Sequence, residues 1–265
     1  MVKDLAEKLA VRINIKKLNK RSVIILSSLA VLLIIITIIA ICVTSKKPVM
    51  TDFFNTNKRY VSGIDVSQHN GKIEWDKVAD ATDFAIIRAG YRGYGNGALE
   101  KDTRYKENLK NARKENMHIG VYFYSQATTI DEAEEEAEYV LDLIRHYDFD
   151  LPVFLDFEYP TDSNGKLTGR LYNANLSGKE AAAVINAFCR KIMDAGYNAG
   201  IYASSNVLNF DIKTSALDDE LFIWVADYNA KVTYLGDYDL WQYAKDGECD
   251  GVHSKYVDLN KWYIR

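Results

Sequence analysis

Two carboxylates, Asp156 and Glu158, are the residues of this chain best placed to do chemistry together. They end an apolar run, residues 151–158, whose length and composition predict a buried strand. Side chains alternate along a strand, so the two acids share a face, with Cα atoms about 6.6 Å apart. Burying both charges costs free energy, because each loses hydration and repels the other. Two interpretations follow: an active-site pair, or two solvated acids at an exposed strand end.

The chain from residue 60 onward alternates between strand-like and helix-like stretches. Strands are predicted at 61–67, 83–89, 118–125, 151–158, 198–203, 221–227 and 238–243, with a short eighth strand near Val257. The clearest predicted helices are 73–79, 103–115, 130–146 and 178–195. This alternation predicts an α/β fold with a parallel sheet, and eight strands predict closure into a TIM-like barrel. The later connections are short, so we expect an irregular barrel with fewer than eight helices.

Polar and aromatic residues gather where the predicted strands end, which is where barrels of this kind place their active sites. The acids at strand ends are Asp65, Asp156, Glu158, Asp227 and Asp258. The accompanying candidates for substrate binding are Tyr91, Tyr122, Tyr124, Tyr202, Tyr228, Trp241 and Gln242. Acids surrounded by rings suit a sugar, whose C–H faces stack on aromatic side chains while its hydroxyls form hydrogen bonds.

The N-terminal region predicts a membrane anchor. Residues 23–43 carry no charge and would span about 31 Å as a helix, close to the thickness of a hydrocarbon core. Seven Lys and Arg residues precede this segment and two closely follow it, which predicts a cytoplasmic N-terminus and an extracellular remainder. The predicted organisation is a basic tail (1–22), a transmembrane helix (23–43), a tether (44–59) and a catalytic barrel (60–265). A cleaved signal peptide is the alternative.

Composition narrows the possible partners and sites. The segment from residue 48 onward has a formal charge of about −11, which disfavours nucleic acid as a partner. The four histidines lack metal-ligand spacing, so no metal site is predicted. The glycine-rich stretch 90–97 lacks a following Gly-Lys-Ser/Thr, which favours a loop over a phosphate cradle. Spacing alone leaves a disulfide between Cys189 and Cys249 open.

Eight short blocks make the chain similar to a known family. They are Gly63-Ile64-Asp65-Val66-Ser67, Phe84-Ala85-Ile86-Ile87-Arg88-Ala89-Gly90, Gly120-Val121-Tyr122-Phe123-Tyr124, Asp156-x-Glu158, Gly200-Ile201-Tyr202, Trp224-Val225-Ala226-Asp227-Tyr228, Trp241-Gln242-Tyr243 and Val257-Asp258-Leu259-Asn260. In this order they resemble glycoside hydrolase family 25, over roughly Tyr60 to Trp262. The resemblance implies a lysozyme that cuts the β-1,4 bond between N-acetylmuramic acid and N-acetylglucosamine of peptidoglycan glycan strands, with no metal or organic cofactor.

The resemblance also implies roles for four acids. Glu158 matches the general acid that protonates the departing glycosidic oxygen. Asp156 matches the acid that orients and stabilises an N-acetyl group acting as internal nucleophile, and Asp65 and Asp227 match two further acids. Neighbouring negative charge and burial would raise the pKa of Glu158, as a general acid needs. Direct attack by water and prior attack by the acetamido group both remain open, and net retention is the favoured outcome.

Two other functions compete with a glycosidase. A non-catalytic glycan-binding module could keep the same barrel and its aromatic groove. A wall amidase or peptidase is disfavoured, because the sequence has no visible Cys/His pair or metal cluster. The presence of all four expected acids favours the enzyme.

Overall fold

The strands of this protein form one sheet that closes on itself. The structure, a computed structural model, describes residues 58–264. The strands are β1 (Tyr60–Val66), β2 (Phe84–Arg92), β3 (Leu99–Lys101), β4 (His118–Ser125), β5 (Val153–Phe157), β6 (Ala199–Ser204), β7 (Phe222–Ala226), β8 (Leu240–Gly247) and β9 (Val257–Tyr263). Their order is β1-β9-β8-β7-β6-β5-β4-β2, and the pairing of β1 with β2 completes a ring of eight. The short β3 adds to the end of β2 outside this ring. The predicted eight-stranded barrel is therefore confirmed.

Six α-helices lie within the described residues, so the expectation of fewer than eight is confirmed there. They are α1 (Trp75–Ala81), α2 (Tyr105–Lys114), α3 (Ile130–Ile144), α4 (Gly169–Ala174), α5 (Gly178–Asp194) and α6 (Ser205–Phe210). The predicted tail, the transmembrane segment 23–43 and residues 44–57 of the tether lie outside the described residues. Within residues 58–264, no helix combines the length and apolar character needed to cross a membrane.

The last strand departs from the predicted parallel sheet. β9 runs antiparallel to both of its neighbours, β8 and β1, while the other neighbouring pairs in the ring are parallel. The reason is the short connection, residues 248–256, because a parallel crossover needs about a dozen residues or more. As a result Asp258, the second residue of β9, pairs with Asp65 near the end of β1.

Local signals in the sequence account for the two longest helices. Thr129 caps α3, its side chain accepting from the backbone N–H of Glu132. Ser177 and Glu180 form a reciprocal capping box at the start of α5. Both helices bury an apolar face, and they pack against each other outside the barrel. The helices thereby hold the strands whose ends form the site.

Aromatic residues fill the lower barrel. Phe154 and Trp224 meet edge to face with ring centroids 5.2 Å apart, and Phe84 meets Trp262 at 5.8 Å. All four side chains are fully buried. This interior is separate from the larger apolar layer between strands and helices. We call this cluster the aromatic plug. It fills the barrel interior, and the polar side chains lie above it at the upper mouth, where the parallel strands end.

Elements missing from the sequence prediction are short. They are β3, α4 and α6. Helices of six residues carry too few turns for a periodic pattern to be recognised. Cys189 and Cys249 are both free thiols, so they form no disulfide with each other.

Candidate active site

The inward-facing positions of the strands change from apolar to polar as each strand reaches the upper rim. On β5, Phe154 belongs to the aromatic plug and Asp156 follows on the same face, with Glu158 just beyond the strand. The same alternation brings other polar side chains inward above the plug. They are Asp65, Arg88, Tyr122, Tyr124, Gln242, Asp258 and Asn260.

Two adjoining cavities occupy the mouth. The smaller, of about 240 Å³, is lined by Asp65, Tyr122, Asp156, Glu158, Tyr202, Trp224, Tyr228, Gln242, Lys245 and Asp258. The larger, of about 960 Å³, has seventeen lining residues that include Gln68, Arg88, Tyr91, Tyr94, Asn96 and Tyr124. The two cavities share four residues, Tyr122, Asp156, Glu158 and Asp258. The Asp156–Glu158 pair therefore lies where the two cavities meet.

Asp65 is held by a chain of hydrogen bonds across the barrel. Its Oδ2 accepts from Gln242 Nε2 at 2.9 Å and from Asn260 Nδ2 at 2.8 Å. Gln242 Oε1 in turn accepts from the hydroxyls of Tyr202 at 2.9 Å and Tyr228 at 2.7 Å. Burial raises the pKa of Asp65 to about 6, although these amide donors oppose the rise. The carboxyl group is thus fixed in place and close to titrating at neutral pH.

The Asp156–Glu158 pair retains protons more tightly than ordinary acids. Burial, followed by the charges of Glu158 and Asp65, raises the pKa of Asp156 well above its usual range. Burial and Asp65 raise the pKa of Glu158 to about 7, with Arg88 opposing. Burial, Asp65 and Glu158 raise the pKa of Asp258 to about 8, with Lys245 opposing. The four acids therefore share protons near neutral pH, as a site that performs general acid catalysis requires.

Most residues predicted for the site line these cavities. Asp65, Asp156, Glu158, Asp258, Tyr122, Tyr202, Tyr228 and Gln242 surround the smaller one, and Tyr91 and Tyr124 line the larger. A bulge between Arg88 and Gly90 shifts the alternation of β2. That shift accounts for the placement of Tyr91 beside the larger cavity.

Asp227 is not brought to either cavity. Its carboxylate accepts hydrogen bonds from Ser205 Oγ at 2.6 Å, from Thr233 N at 2.7 Å and Oγ1 at 2.6 Å, and from Asn229 Nδ2 at 2.7 Å. Burial would raise the pKa of Asp227, but these hydrogen bonds outweigh it and hold the pKa below its ordinary value. Side chains alternate along a strand, so Asp227 points to the same side as Val225. Val225 packs in the apolar layer outside the barrel. In this position it fixes the loop after β7 to the start of α6.

Trp241 is the other predicted residue that lies away from the cavities. It alternates with the inward Gln242, and its ring packs 5.9 Å from Tyr243. Its Nε1 donates to the backbone carbonyl of Asp227 at 2.6 Å. Lys261 Nζ lies 5.3 Å from the ring centroid. Trp241 therefore supports the same loop from outside.

Two residues near the acids, Arg88 and Asn260, are absent from the predicted site, although strand alternation could have found them. Arg88 follows Phe84 and Ile86 in phase along β2. Asn260 lies in phase between Asp258 and Trp262 along β9. Within the described residues, no cluster of three or more His, Cys, Asp or Glu is arranged to hold a metal ion.

Comparison with known proteins places this site in context. The model of the family described as glycosyl hydrolases family 25 matches residues 64–252. A curated relative, the uncharacterized protein YegX of Escherichia coli O157:H7, is 26% identical over 212 residues, covering 76% of this chain and 68% of that protein.

Solved structures show the same fold. The modular autolysin LytC from Streptococcus pneumoniae, solved with a synthetic peptidoglycan ligand, is 26% identical with a TM-score of 0.65 and covers 78% of this chain. The match spans 48% of the LytC chain, about half its length. A family 25 glycosyl hydrolase from Bacillus anthracis is 21% identical with a TM-score of 0.62, covering 79% of this chain and 92% of that one. The bacterial lysozyme from Streptomyces coelicolor is 24% identical with a TM-score of 0.60, covering 76% and 91%.

Proposed function

Because this chain belongs to glycosyl hydrolases family 25, we propose that it is a lysozyme that cleaves the β-1,4 bond between N-acetylmuramic acid and N-acetylglucosamine in peptidoglycan. The observation that carries the proposal is the Asp156–Glu158 pair at the junction of two ring-lined cavities. Asp65 and Asp258 face the same space and raise the proton affinity of the site. The family and the fold support a peptidoglycan hydrolase, and the acid pair supports cleavage of a glycosidic bond.

The proposed mechanism divides the work between the two acids. Glu158, with its pKa raised to about 7, donates a proton to the glycosidic oxygen as the C–O bond breaks. Asp156, acting in its ionised form, orients the acetamido group of the sugar, whose carbonyl oxygen attacks the anomeric carbon. The same carboxylate stabilises the positive charge of the resulting cyclic intermediate. Glu158 then removes a proton from the water that opens this intermediate. Two displacements at the same carbon give net retention of configuration.

The aromatic side chains near the Asp156–Glu158 pair suit a sugar substrate. Tyr122 is shared by both cavities, and Tyr91 and Tyr94 stand in the wall of the larger one. Aromatic side chains of this kind bind the C–H faces of sugar rings. We assign the larger cavity to the glycan strand and the smaller one to the group that projects from the reacting sugar.

The decisive experiment is digestion of purified peptidoglycan by the full-length protein. The products are reduced with borohydride and hydrolysed, and the modified amino sugar is identified. Reduced muramic acid, absent for Glu158→Gln and retained for the exposed control Asp219→Asn, is the expected result. Reduced glucosamine, or no new reducing ends, contradicts the proposal. Tight binding to peptidoglycan without cleavage would instead favour the glycan-binding module.

We also propose that the protein is a single-pass membrane protein with its catalytic domain outside the cell. The support is the uncharged segment 23–43 and the excess of basic residues before it. Protease added to spheroplasts should degrade the catalytic domain while the N-terminal tail stays protected. Release of the domain with a new N-terminus after residue 43 would favour a signal peptide.

A further inference from the structure

Arg88 is a buried cation beside the two acids, and the mechanism above does not use it. It faces inward on β2, in register with Tyr122 of β4, and lines the larger cavity together with Asp156 and Glu158. Its side chain is 11% exposed. A charge with so little access to water costs free energy unless it is paired or has a function.

Asp102 holds Arg88 in a fixed position. Arg88 Nε donates to Asp102 Oδ2 at 2.8 Å, and the Asp102 side chain is fully buried. Asp102 also accepts from the backbone N–H of Gln68 at 2.9 Å and of Arg104 at 2.8 Å. The carboxylate is therefore anchored by the loop after β1 and by the start of α2. The guanidinium it binds has little freedom to move.

One donor of Arg88 and one acceptor of Asp156 remain unused at this cavity. Within the described residues, the buried atoms Arg88 Nη2 and Asp156 Oδ1 have no hydrogen-bond partner. An unsatisfied buried polar atom costs about 1–3 kcal/mol. Both atoms belong to residues that line the larger cavity, so the cation and the carboxylate act on each other there.

The charges around the pair explain why such a cation is needed. Titratable acids face the pair from β1 (Asp65) and β9 (Asp258), and the tyrosines Tyr122, Tyr124, Tyr202 and Tyr228 have raised pKa values and are neutral. The exposed Lys245 of β8 acts on Asp258. Arg88 is the cation that opposes burial at both Asp156 and Glu158. Without it, repulsion and burial would raise the pKa of Asp156 further and disfavour its ionised form more strongly.

We propose that Arg88, clamped by Asp102, is a positioning residue whose charge favours the ionised form of Asp156, the form in which Asp156 acts while Glu158 carries the catalytic proton. The inference rests on the proposed function and adds a residue to it. Asp102 has two effects in this arrangement: it fixes the guanidinium, and it partly cancels the positive potential that reaches the pair. Changes at the two residues must therefore move the acids in opposite directions.

The test is the pH profile of kcat/KM for peptidoglycan cleavage. Removing the cation with Arg88→Met disfavours both carboxylate anions, so the acidic and alkaline limbs, which the coupled acids set together, both move to higher pH by about one unit. Removing the anion with Asp102→Asn moves both limbs to lower pH. Arg88→Lys restores most of the wild-type profile. Arg104→Met, a nearby arginine paired with the exposed Glu107, leaves the profile unchanged.

Opposite shifts are a signature that a merely structural role does not produce. Loss of activity in Arg88→Met and Asp102→Asn with both limbs unmoved, or limbs moving in the same direction, overturns the inference. Should Arg88→Met fail to fold by near-UV circular dichroism, Asp102→Asn alone decides, because it keeps the cation and the shape of the side chain. A wild-type protein without cleavage defeats the proposed function. An inactive Glu158→Gln with unshifted Arg88 profiles defeats only the role of Arg88.

Discussion

Glu158 destabilises the folded protein when it is ionised, and this cost is measurable. Its pKa is raised from 4.5 to about 7, so the folded state favours the neutral carboxyl group. The stability that the neutral Glu158 carboxyl group contributes is fully present below pH 4.5 and is lost as the pH rises through 7. A shift of this size corresponds to about 1–3 kcal/mol once partial solvent exposure is allowed for.

Replacement of Glu158 by glutamine should therefore stabilise the protein in a pH-dependent way. We expect Glu158→Gln to have a higher free energy of unfolding than wild type at pH 8, and the difference to vanish near pH 4. Chemical denaturation at both pH values measures it, with the exposed Asp219→Asn as a control. A constant difference at all pH values would mean that ionisation is not the cause.

Asp227 provides a test between a catalytic and a structural role. Its carboxylate is saturated by donors from Ser205, Asn229 and Thr233, so Asp227→Ala leaves the buried Ser205 hydroxyl and the partly buried donors of the other two residues without this partner. We expect the free energy of unfolding to fall by about 2–4 kcal/mol, and kcat to fall less than about tenfold while the variant is folded. A loss of kcat above a hundredfold with unchanged stability would support the catalytic role predicted from the sequence.

Strand alternation predicts which candidate side chains face the barrel interior. Choosing a residue only because it ends a strand does not. Alternation from Phe154 places Asp156 and Glu158 on one face, and they line the cavities. Trp241 and Gln242 are neighbours on β8, so only one of them faces inward. Selecting residues because they end a strand overlooked this. The bulge that redirects Tyr91 has no signal in the sequence, because it depends on pairing with β4.

At the level of elements, a buried ion network fixes the glycine-rich loop between β2 and β3. Arg92 Nε binds Glu136 of α3 at 2.8 Å, and Arg92 Nη1 donates to the carbonyl of Gly97 at 2.9 Å. Glu136 also accepts from Ser125 Oγ at 2.6 Å. This loop carries Tyr94 into the wall of the larger cavity. The network thus connects a barrel helix to the wall of the larger cavity.

Breaking this network from the arginine side should be the more damaging change. Arg92→Met leaves Glu136 buried with an uncompensated charge, and we expect a loss of about 3–5 kcal/mol in stability. Glu136→Gln retains hydrogen-bonding capacity and leaves Arg92 its bond to Glu135, so its loss should be smaller. Thermal unfolding of both variants measures the order. Equal losses would show that the charge of Glu136 is not what Arg92 stabilises.

A helix or strand could be predicted when the interactions that determine it lie within one stretch of sequence. The capping box of Ser177 and Glu180 and the long amphipathic pattern of α5 lie within one stretch of sequence, so the predicted helix matches the observed one. The direction of β9 depends on the length of residues 248–256. Short later connections predicted an irregular barrel, but that reasoning was not extended to the direction of the last strand. The same reasoning would have placed β9 antiparallel before any coordinates were known.

At the scale of the whole molecule, closure of the barrel depends on strands that leave room for the aromatic plug. Gly200 on β6 faces this interior, and a Cβ there would lie 2.5 Å from the carbonyl oxygen of Phe222 and 2.7 Å from the ring of Phe154. Contacts this short force backbone and ring to move. We expect Gly200→Ala to lower the unfolding temperature by several degrees, and an unchanged unfolding temperature would mean that the interior can relax. Gly95→Ala is the matched control, because a Cβ at Gly95 would meet no atom within 4 Å and the residue has no positive φ.

Closure also creates the acid cluster, because Asp65 and Asp258 come from opposite ends of the described chain and meet through the β1–β9 pairing. Together with Glu158 they have pKa values of about 6, 8 and 7, so the cluster titrates as a unit around neutrality. Cleavage needs a protonated general acid, so kcat/KM should fall as the pH rises through about 7. Initial rates measured from pH 4 to 9 at constant ionic strength check this, with unfolding followed in parallel. A rate that keeps increasing up to pH 9 would mean that the closed barrel does not hold a proton for catalysis at this site.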